Sequence, residues 1–122
     1  MNTGLVYTST TVVDSTNTAI ALGSGDMEVL ATPAMVALME NAAMNAVAPH
    51  LEDGQTTVGS HIETSHLKPS FIGTTVAATA TLTAVEGRKL TFAIEAYEGE
   101  TLIGRGTHVR YIVSRDRFLN KC

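Results

Sequence analysis

One carboxylate stands alone in a long apolar stretch of this 122-residue sequence. Glu40 is the only Asp, Glu, Lys or Arg between Glu28 and Glu52, and the residues three and four positions from it are Val, Ala, Ala and Met. A carboxylate in apolar surroundings has a raised pKa or a dedicated partner, and either condition is common in catalytic acids and bases. Glu40 is therefore a candidate general base or nucleophile. The alternative is a structural carboxylate that lies at an oligomer groove or caps a neighbouring loop.

A helix over residues 33–48 is predicted to position Glu40. Ala, Leu and Met dominate this stretch and favour helix. Thr32 is a plausible N-cap, Pro33 suits the first helical position, and Pro49 ends the run. Nearly every side chain is apolar or small, so we expect the helix to be wrapped on most sides. Because a single sheet covers only one side of a helix, the pattern predicts a homodimer.

Apolar and polar residues alternate in five strand-like segments around this helix. They are residues 5–13 before the helix and residues 56–66, 75–85, 90–97 and 102–113 after it, with turn residues at Gly54, Gly87 and Gly99. One strand, a long helix and a series of antiparallel hairpins predict a two-layer α+β domain with a sheet of about five strands.

The alternation also assigns side chains to the two faces of each strand. The second strand is predicted to place Val58, Ile62 and His66 on one face and Gly59, His61 and Glu63 on the other. The last strand is predicted to place Ile103, Val109, Tyr111 and Val113 on one face.

The length of the chain suits one domain over residues 1–122. Within it, residues 14–31 are rich in Ser, Thr, Asn and Gly and predict a loop or lid with one short helical turn. Residues 115–122 predict a flexible polar tail.

Composition excludes several classes of function. The sequence has 44% hydrophobic and 16% charged residues. It has no run of about 18 apolar residues, so we expect no membrane contact. The net charge of −4 argues against a nucleic-acid partner. Cys122 is the single cysteine and forms no internal disulfide, which favours a cytoplasmic location. The four histidines are scattered and show no metal-ligand spacing.

The charged residues are unevenly distributed along the chain. Residues 1–67 contain seven acids and no Lys or Arg. A local group of cations suits the phosphates of a nucleotide-type ligand, although ordinary solvation explains any single one of them. The cations are Lys68, Arg88, Lys89, Arg105, Arg110, Arg115, Arg117 and Lys121.

Three motifs resemble those of hotdog-fold thioesterases, and more narrowly those of the fluoroacetyl-CoA thioesterase group. They are ATPAMVALMENAA at 31–43, TTVGSHIETSHLKPSFIG at 56–73 and RGTHVRYIV at 105–113. The resemblance covers roughly residues 5–115. It implies a hotdog fold, in which a curled antiparallel sheet wraps a central helix. It also implies an acyl-CoA substrate, no metal, no cofactor apart from coenzyme A as part of the substrate, and active sites at a dimer interface.

The same resemblance implies a set of catalytic residues. Thr32 at the helix start, Glu40 inside the helix and His66 at the end of the following strand match the Thr, Glu and His of the group, and Gly59 matches its glycine near the acyl group. Thioester cleavage needs attack on the carbonyl carbon, stabilisation of the oxyanion and release of a thiolate. We expect Glu40 to attack directly or to activate water, His66 to move the proton, and Thr32 to orient the carboxylate or the acyl oxygen.

Helix geometry limits how these residues can meet. Eight residues separate Thr32 from Glu40, which corresponds to about 12 Å along a straight helix. A water molecule, a bent helix start or the partner chain must therefore close the gap, and we expect the partner chain to do so. Dimers could pair further into tetramers.

Two functions follow from this pattern. The first is hydrolysis of a short or modified acyl-CoA, and the alternative is a non-catalytic protein that binds or senses acyl-CoA. A hydratase of the same fold would resemble an Asp/His arrangement that the sequence lacks. Lys68, Arg88 and Lys89 lie near predicted strand ends and are candidates to bind CoA phosphates. Residues 14–31 contain no Phe, Tyr or Trp, whereas the fluoroacetate-specific enzyme has a lid aromatic, so fluoroacetyl selectivity is not predicted.

Overall fold

A computed structural model describes residues 1–120 and shows one long helix packed on a five-stranded antiparallel sheet. The strand order is β1-β3-β4-β5-β2. Cys122 lies outside the described residues. The elements are β1 (Val6–Val12), α1 (Ala19–Leu22), α2 (Thr32–Val47) with a 3₁₀ turn (Ala48–His50), β2 (Gln55–His66), β3 (Thr75–Glu86), β4 (Lys89–Glu98), β5 (Thr101–Ser114) and α3 (Arg115–Asn120).

The core lies between one side of α2 and the middle of the sheet. Met35, Met39 and Val47 are fully buried on α2. Fully burying a Leu, Met or Phe side chain contributes about 1.5–3 kcal/mol, so these contacts hold the helix on the sheet. Every second residue of β3 and β4 faces this core; these residues are Val76, Ala78, Ala80, Leu82, Leu90, Phe92, Ile94 and Ala96.

The opposite side of α2 is open in the single chain. Ala37, Asn41 and Met44 are exposed on it. The sheet reaches only one side of the helix, as expected for a single sheet, and the coverage of its other side by a partner protomer stays a prediction. Small and apolar side chains on an open helix face are typical of a surface that another element covers.

The start of α2 differs from the prediction. Ala31, not Thr32, is the N-cap, and it makes no side-chain capping bond. The carbonyl of Ala31 accepts hydrogen bonds from the amides of Ala34 and Met35. Thr32 and Pro33 are thus the first two helical residues, which leaves the Thr32 hydroxyl free for a partner outside the helix.

A bulge in β2 changes which side chains face α2. The register with β5 shifts between Gly59 and His61. Gly59 therefore faces the same interior as Ile62 and His66, and its predicted assignment to the opposite face is wrong. One extra residue in a strand inverts the alternation beyond it, so the period-two pattern holds on each side of the bulge only.

The face assignment of β5 also needs correction. His108 and Arg110 are buried, whereas Val109 is only partly buried and Tyr111 is exposed. Ile103 is buried as predicted. Polar side chains occupy the inward positions here because they find hydrogen-bond partners inside.

Short helices lie in the lid and at the end of the described chain. The predicted helical turn in the lid is α1, and the lid is tied down by the bond from the Leu30 amide to the Ser70 carbonyl. Residues 115–120 form the helix α3, none of whose residues is buried, and the predicted flexibility of residues 115–122 stays a prediction. Among the described residues, no helix is long and apolar enough to span a membrane.

Candidate active site

Thr32 and His66 form the first half of the site. Thr32 lies in the first turn of α2, and His66 is the last residue of β2. The Thr32 hydroxyl lies 2.8 Å from His66 Nδ1, within hydrogen-bond distance. This contact explains why the threonine does not cap its own helix. It also fixes the orientation of the imidazole ring.

The second ring nitrogen of His66 has no partner. His66 Nε2 is buried and makes no hydrogen bond within the described residues. Burial lowers the pKa of His66 below 6.5, because a desolvated imidazolium is disfavoured. A neutral imidazole with one anchored and one free nitrogen is suited to exchange a proton with a substrate or water.

A cavity of about 280 Å³ adjoins this pair. Thr32, His66 and Lys68 line it, together with Ala19 and Ser24 from the lid. Lys68 therefore lies where a cation could meet an anionic group of a ligand. Because the side chains of Ala19 and Ser24 are small, the cavity has space for the acyl end of such a ligand.

Glu40 belongs to a different cluster on the same helix. Its carboxylate Oε2 lies 3.8 Å from NH1 of Arg110, whose side chain is 8% exposed against 41% for Glu40. The dedicated partner expected for Glu40 is thus Arg110, but the carboxylate is partly exposed and not buried in the core. Glu40 and Arg110 line a second cavity together with Ala37, Asn41 and Met44 on the open side of α2.

Arg110 is held in place by neighbouring strands. Its Nε donates to the Thr57 hydroxyl at 2.9 Å, and NH2 donates to the Thr57 carbonyl at 3.0 Å. NH1 lies 3.2 Å from His108 Nε2. Burial lowers the pKa of Arg110, and the Glu40 carboxylate opposes that change. The guanidinium therefore remains a fixed positive charge beside the carboxylate.

Gly59 lies against the Glu40 carboxylate. A Cβ at this position would lie 3.0 Å from Glu40 Oε2, 3.2 Å from His108 Cε1 and 3.4 Å from Arg110 NH1. Only a residue without a side chain leaves this approach open. The residue that the resemblance places near the acyl group is thus next to the candidate base or nucleophile.

Two of the three candidate catalytic residues meet directly within one chain. Thr32 contacts His66, whereas Glu40 lines a cavity that neither of them lines. Thr32 and Glu40 lie eight residues apart on α2, which corresponds to about 12 Å along the helix axis. One chain alone therefore does not bring the carboxylate to the imidazole.

The other predicted cation positions lie at the β3–β4 hairpin. Arg88 lines a separate cavity with Arg117 and Phe118. Lys89 pairs in register with Glu86 and Tyr111. Their role in phosphate binding stays a prediction.

Sequence reasoning missed Arg110 and His108 as members of the Glu40 cluster. The apolarity of Val109 and Tyr111 favours the opposite face of β5. The available signal was charge: an isolated acid on a buried helix needs a cation, and Arg110 lies within a strand next to apolar residues. Across residues 1–120, no group of three or more His, Cys, Asp or Glu is placed to hold a metal ion.

Comparison with known proteins gives consistent matches over nearly the whole chain. A family model described as fluoroacetyl-CoA-specific thioesterase matches residues 13–116. The fluoroacetyl-CoA thioesterase of Streptantibioticus cattleyicolor is 43% identical over 91 residues, which cover 75% of this chain and 66% of that relative.

Solved structures are similar over more of the chain. A structure of a fluoroacetyl-CoA thioesterase superposes with a TM-score of 0.93 at 37% identity, covering 99% of this chain and 94% of that one. Variants of such an enzyme have been solved with fluoroacetate and CoA and with acetyl-CoA. A hot-dog-like protein from Thermanaerovibrio acidaminovorans has a TM-score of 0.90 at 24% identity, covering 99% of this chain and 90% of that one, a likeness of fold alone.

Proposed function

The chain belongs to the fluoroacetyl-CoA-specific thioesterase family, and on that basis we propose that it hydrolyses a short or modified acyl-CoA to a free acid and CoA. The hotdog fold and the family suggested by the sequence motifs are both confirmed. The observation that carries the proposed activity is the Glu40 carboxylate, which lies beside a buried cation and a glycine and lines an accessible cavity.

The reaction breaks the bond between the acyl carbon and sulfur. Water supplies the oxygen of the product acid, and the sulfur leaves as a thiolate that takes up a proton. Thiols have a pKa near 8.5, so the leaving group needs little help near neutral pH. The demanding step is formation of the tetrahedral oxyanion, which needs a nucleophile on one side and hydrogen-bond donors on the other.

Glu40 takes the first of these tasks. It removes a proton from the attacking water, or it attacks the carbonyl carbon itself and the resulting anhydride is hydrolysed. The Arg110 guanidinium, 3.8 Å from Glu40 Oε2, orients the carboxylate. Gly59 leaves the space in which the acyl carbon can approach Oε2.

Thr32 and His66 take the second task. The Thr32 hydroxyl fixes the ring through Nδ1, and the free Nε2 exchanges a proton with the acyl oxygen or with water. Because burial keeps His66 neutral at pH 7, the ring can act in either direction.

A homodimer supplies the missing geometry. If a two-fold axis crosses the open side of α2 midway between Thr32 and Glu40, the two helices run antiparallel and Thr32 of one protomer lies opposite the partner's Glu40. The exposed Ala37 and Met44 suit such a helix contact, since the small Ala allows close approach. Pairing of dimers into tetramers belongs to this proposal as well, and sedimentation measurements test both assemblies.

Recognition of CoA is assigned to the basic residues. Lys68 has the strongest support because it lines the cavity of Thr32 and His66. Arg88 and Lys89 are candidates for the distant phosphates. A cytoplasmic location is also part of the proposal, since the single cysteine gives the chain no internal disulfide.

A thiol-release assay with a panel of acyl-CoA thioesters tests the activity. The panel contains acetyl-, fluoroacetyl-, propionyl- and butyryl-CoA, and free CoA is detected with a thiol reagent. We expect hydrolysis of at least one short thioester, and the ratio of fluoroacetyl to acetyl rates measures selectivity. Glu40→Gln should reduce kcat by about 10²–10⁴-fold, the range for loss of a general base.

Glu63→Gln is the matched control, because Glu63 is exposed and pairs only with His61. It should leave kcat unchanged. Binding of CoA without turnover of any thioester would overturn hydrolysis and favour the alternative of a non-catalytic acyl-CoA binding protein. Normal turnover by Glu40→Gln would remove Glu40 from the mechanism.

A further inference from the structure

His108 is a fully internal histidine to which the proposed reaction gives no role. It lies on β5 with 1% of its surface exposed, and the centroid of its ring is 6.2 Å from the centroid of the Phe92 ring. A histidine in such a place could simply fill space. Its Nε2, however, contacts Arg110 of the Glu40 cluster, and its Nδ1 contacts the backbone carbonyl of His61.

The hydrogen bonds fix the tautomer of His108. Nδ1 lies 2.8 Å from the carbonyl oxygen of His61, which can only accept, so Nδ1 carries the proton. Nε2 is then an acceptor, as its neighbour requires, because Arg110 NH1 at 3.2 Å can only donate. Burial is the main cause that lowers the pKa of His108, and the Arg110 charge adds to it, while the His61 hydrogen bond and the Glu40 carboxylate oppose it.

His108 adds a third contact to a guanidinium that Thr57 already holds at Nε and NH2. Because the group is planar and rigid, the Thr57 bonds set its plane, and the bond to His108 Nε2 restrains it at NH1. NH1 is the nitrogen that faces Glu40 Oε2, at 3.8 Å. Without an acceptor at His108, the guanidinium would lose its one restraint on the edge nearest the carboxylate among the described residues.

We propose that His108 is a positioning residue that, as the neutral Nδ1–H tautomer, holds Arg110 NH1 toward Glu40 and thereby sets the carboxylate for attack. This inference rests on the proposed function of Glu40. His61 lies immediately after the β2 bulge, so the same contact links the register of the bulge at Gly59 to the orientation of the carboxylate.

Two amide variants separate this role from packing. In His108→Gln the side-chain oxygen reaches the place of Nε2 and can accept from Arg110. In His108→Asn the shorter amide can still donate to the His61 carbonyl but has no acceptor near Arg110. Both variants lose the aromatic ring beside Phe92, so both should lower the melting temperature by a similar amount.

The expected result is a difference between the variants in kcat, with KM for the acyl-CoA nearly unchanged. His108→Asn should lose about tenfold or more in kcat, in line with loss of one hydrogen bond to a charged group. His108→Gln should keep most of the kcat. Equal losses in the two variants, or normal kcat in His108→Asn, would overturn the inference.

A measurement on the wild-type protein covers the case in which a variant does not fold. Long-range ¹H–¹⁵N correlation spectra report which imidazole nitrogen carries the proton. We expect the Nδ1–H tautomer for His108 at neutral pH. An Nε2–H tautomer or an imidazolium would contradict the proposal, because neither can accept from Arg110. If wild-type protein hydrolyses no thioester, the proposed function fails, and the spectra still decide the geometry claimed for His108.

Discussion

The two ends of the site differ in their chemistry. At the imidazole end, the exposed Thr32 contacts His66, whose Nε2 is buried and makes no hydrogen bond within the described residues. At the carboxylate end, Glu40 is partly exposed and lies beside the buried cation of Arg110. One end is built to move a proton and the other to carry charge. Neither alone contains both the attacking group and the proton carrier that thioester hydrolysis needs.

Their separation along α2 has an electrostatic consequence. A carboxylate next to an imidazole raises its pKa, whereas burial lowers it. In one chain His66 experiences the burial but not the contact with Glu40, so its pKa is lowered. In a dimer that joins the two ends, the partner's Glu40 carboxylate would raise the pKa of His66 again. The pKa of His66 therefore reports whether the proposed dimer forms.

After the loss expected for Glu40→Gln, the largest effect is expected from breaking the imidazole end. Thr32→Val keeps the shape of the side chain but removes the hydroxyl, which leaves His66 Nδ1 without its partner. The ring then loses the contact that orients it, and because misplacing a catalytic group by about 1 Å can cost roughly 100-fold, kcat should fall by about 10–100-fold. Thr32→Ser retains the hydroxyl and is the control. Equal kcat in the Val and Ser variants would show that the contact has no catalytic value.

The pH dependence tests whether the two ends meet. With burial alone acting, the pKa of His66 lies below 6.5 and kcat should hold as the pH falls through 6.5. A carboxylate from the partner's Glu40 near the ring would raise that pKa and move the decline in kcat to higher pH. In the dimer, Glu40→Gln should lower the His66 pKa, as read from NMR titration of the ring protons. An unchanged His66 pKa in that variant would mean that no Glu40 lies near the ring.

The free energy of unfolding should also decrease as the pH falls. His66 and His108 both have pKa values lowered from 6.5 in the folded protein. Between pH 6.5 and those lowered values the unfolded chain binds more protons than the folded one, so stability is lost as the pH falls through this window.

A smaller effect is expected from crowding the carboxylate end. Gly59→Ala adds a Cβ about 3.0 Å from Glu40 Oε2, and the flexible carboxylate should move by a few tenths of an ångström. Because this displaces the reacting group without removing it, kcat should fall by about 3–10-fold, equivalent to roughly 1 kcal/mol. The backbone of Gly59 is not in the left-handed region, so the melting temperature should change little. Ser60→Ala at the adjacent bulge position is the control, and kcat equal to wild type in Gly59→Ala would argue against a tight approach here.

The smallest effect is expected outside both ends. His61 Nε2 lies 3.2 Å from Glu63 Oε1 on the outer face of β2, with side chains 56% and 78% exposed. Exposed pairs contribute between zero and about 1 kcal/mol. His61→Ala should leave kcat unchanged and alter the free energy of unfolding, measured by urea denaturation, by no more than about 0.5 kcal/mol. A large loss of kcat would show that the site extends to this face.

The sequence was sufficient for regular elements and for the residues that break their pattern. The long helix and the alternation of β3 and β4 follow from apolar periodicity, and Glu40 is conspicuous as a lone acid. Gly59 was assigned to the wrong face because a bulge inverts the alternation of faces, and the residue types around it do not indicate the bulge. Where only local pattern decides, the prediction succeeded.

The cluster around Glu40 depends on contacts distant in sequence. Arg110 and His108 are inward because Thr57 and the His61 carbonyl satisfy them from another strand. Thr32 does not cap α2, and its hydroxyl instead contacts His66 at the end of β2. Such pairings require the register of the sheet, which hydrophobic periodicity does not contain.

Subunit complementation tests most directly whether the two ends act as one site. Glu40→Gln and His66→Ala subunits carry different affinity tags, are co-expressed, and the mixed dimers are purified through both tags. If each site combines His66 of one protomer with the partner's Glu40, one site of every mixed dimer is intact, and thiol release should recover to about half the wild-type rate from two inactive parents. Mixed dimers as inactive as their parents would contradict a site shared between protomers.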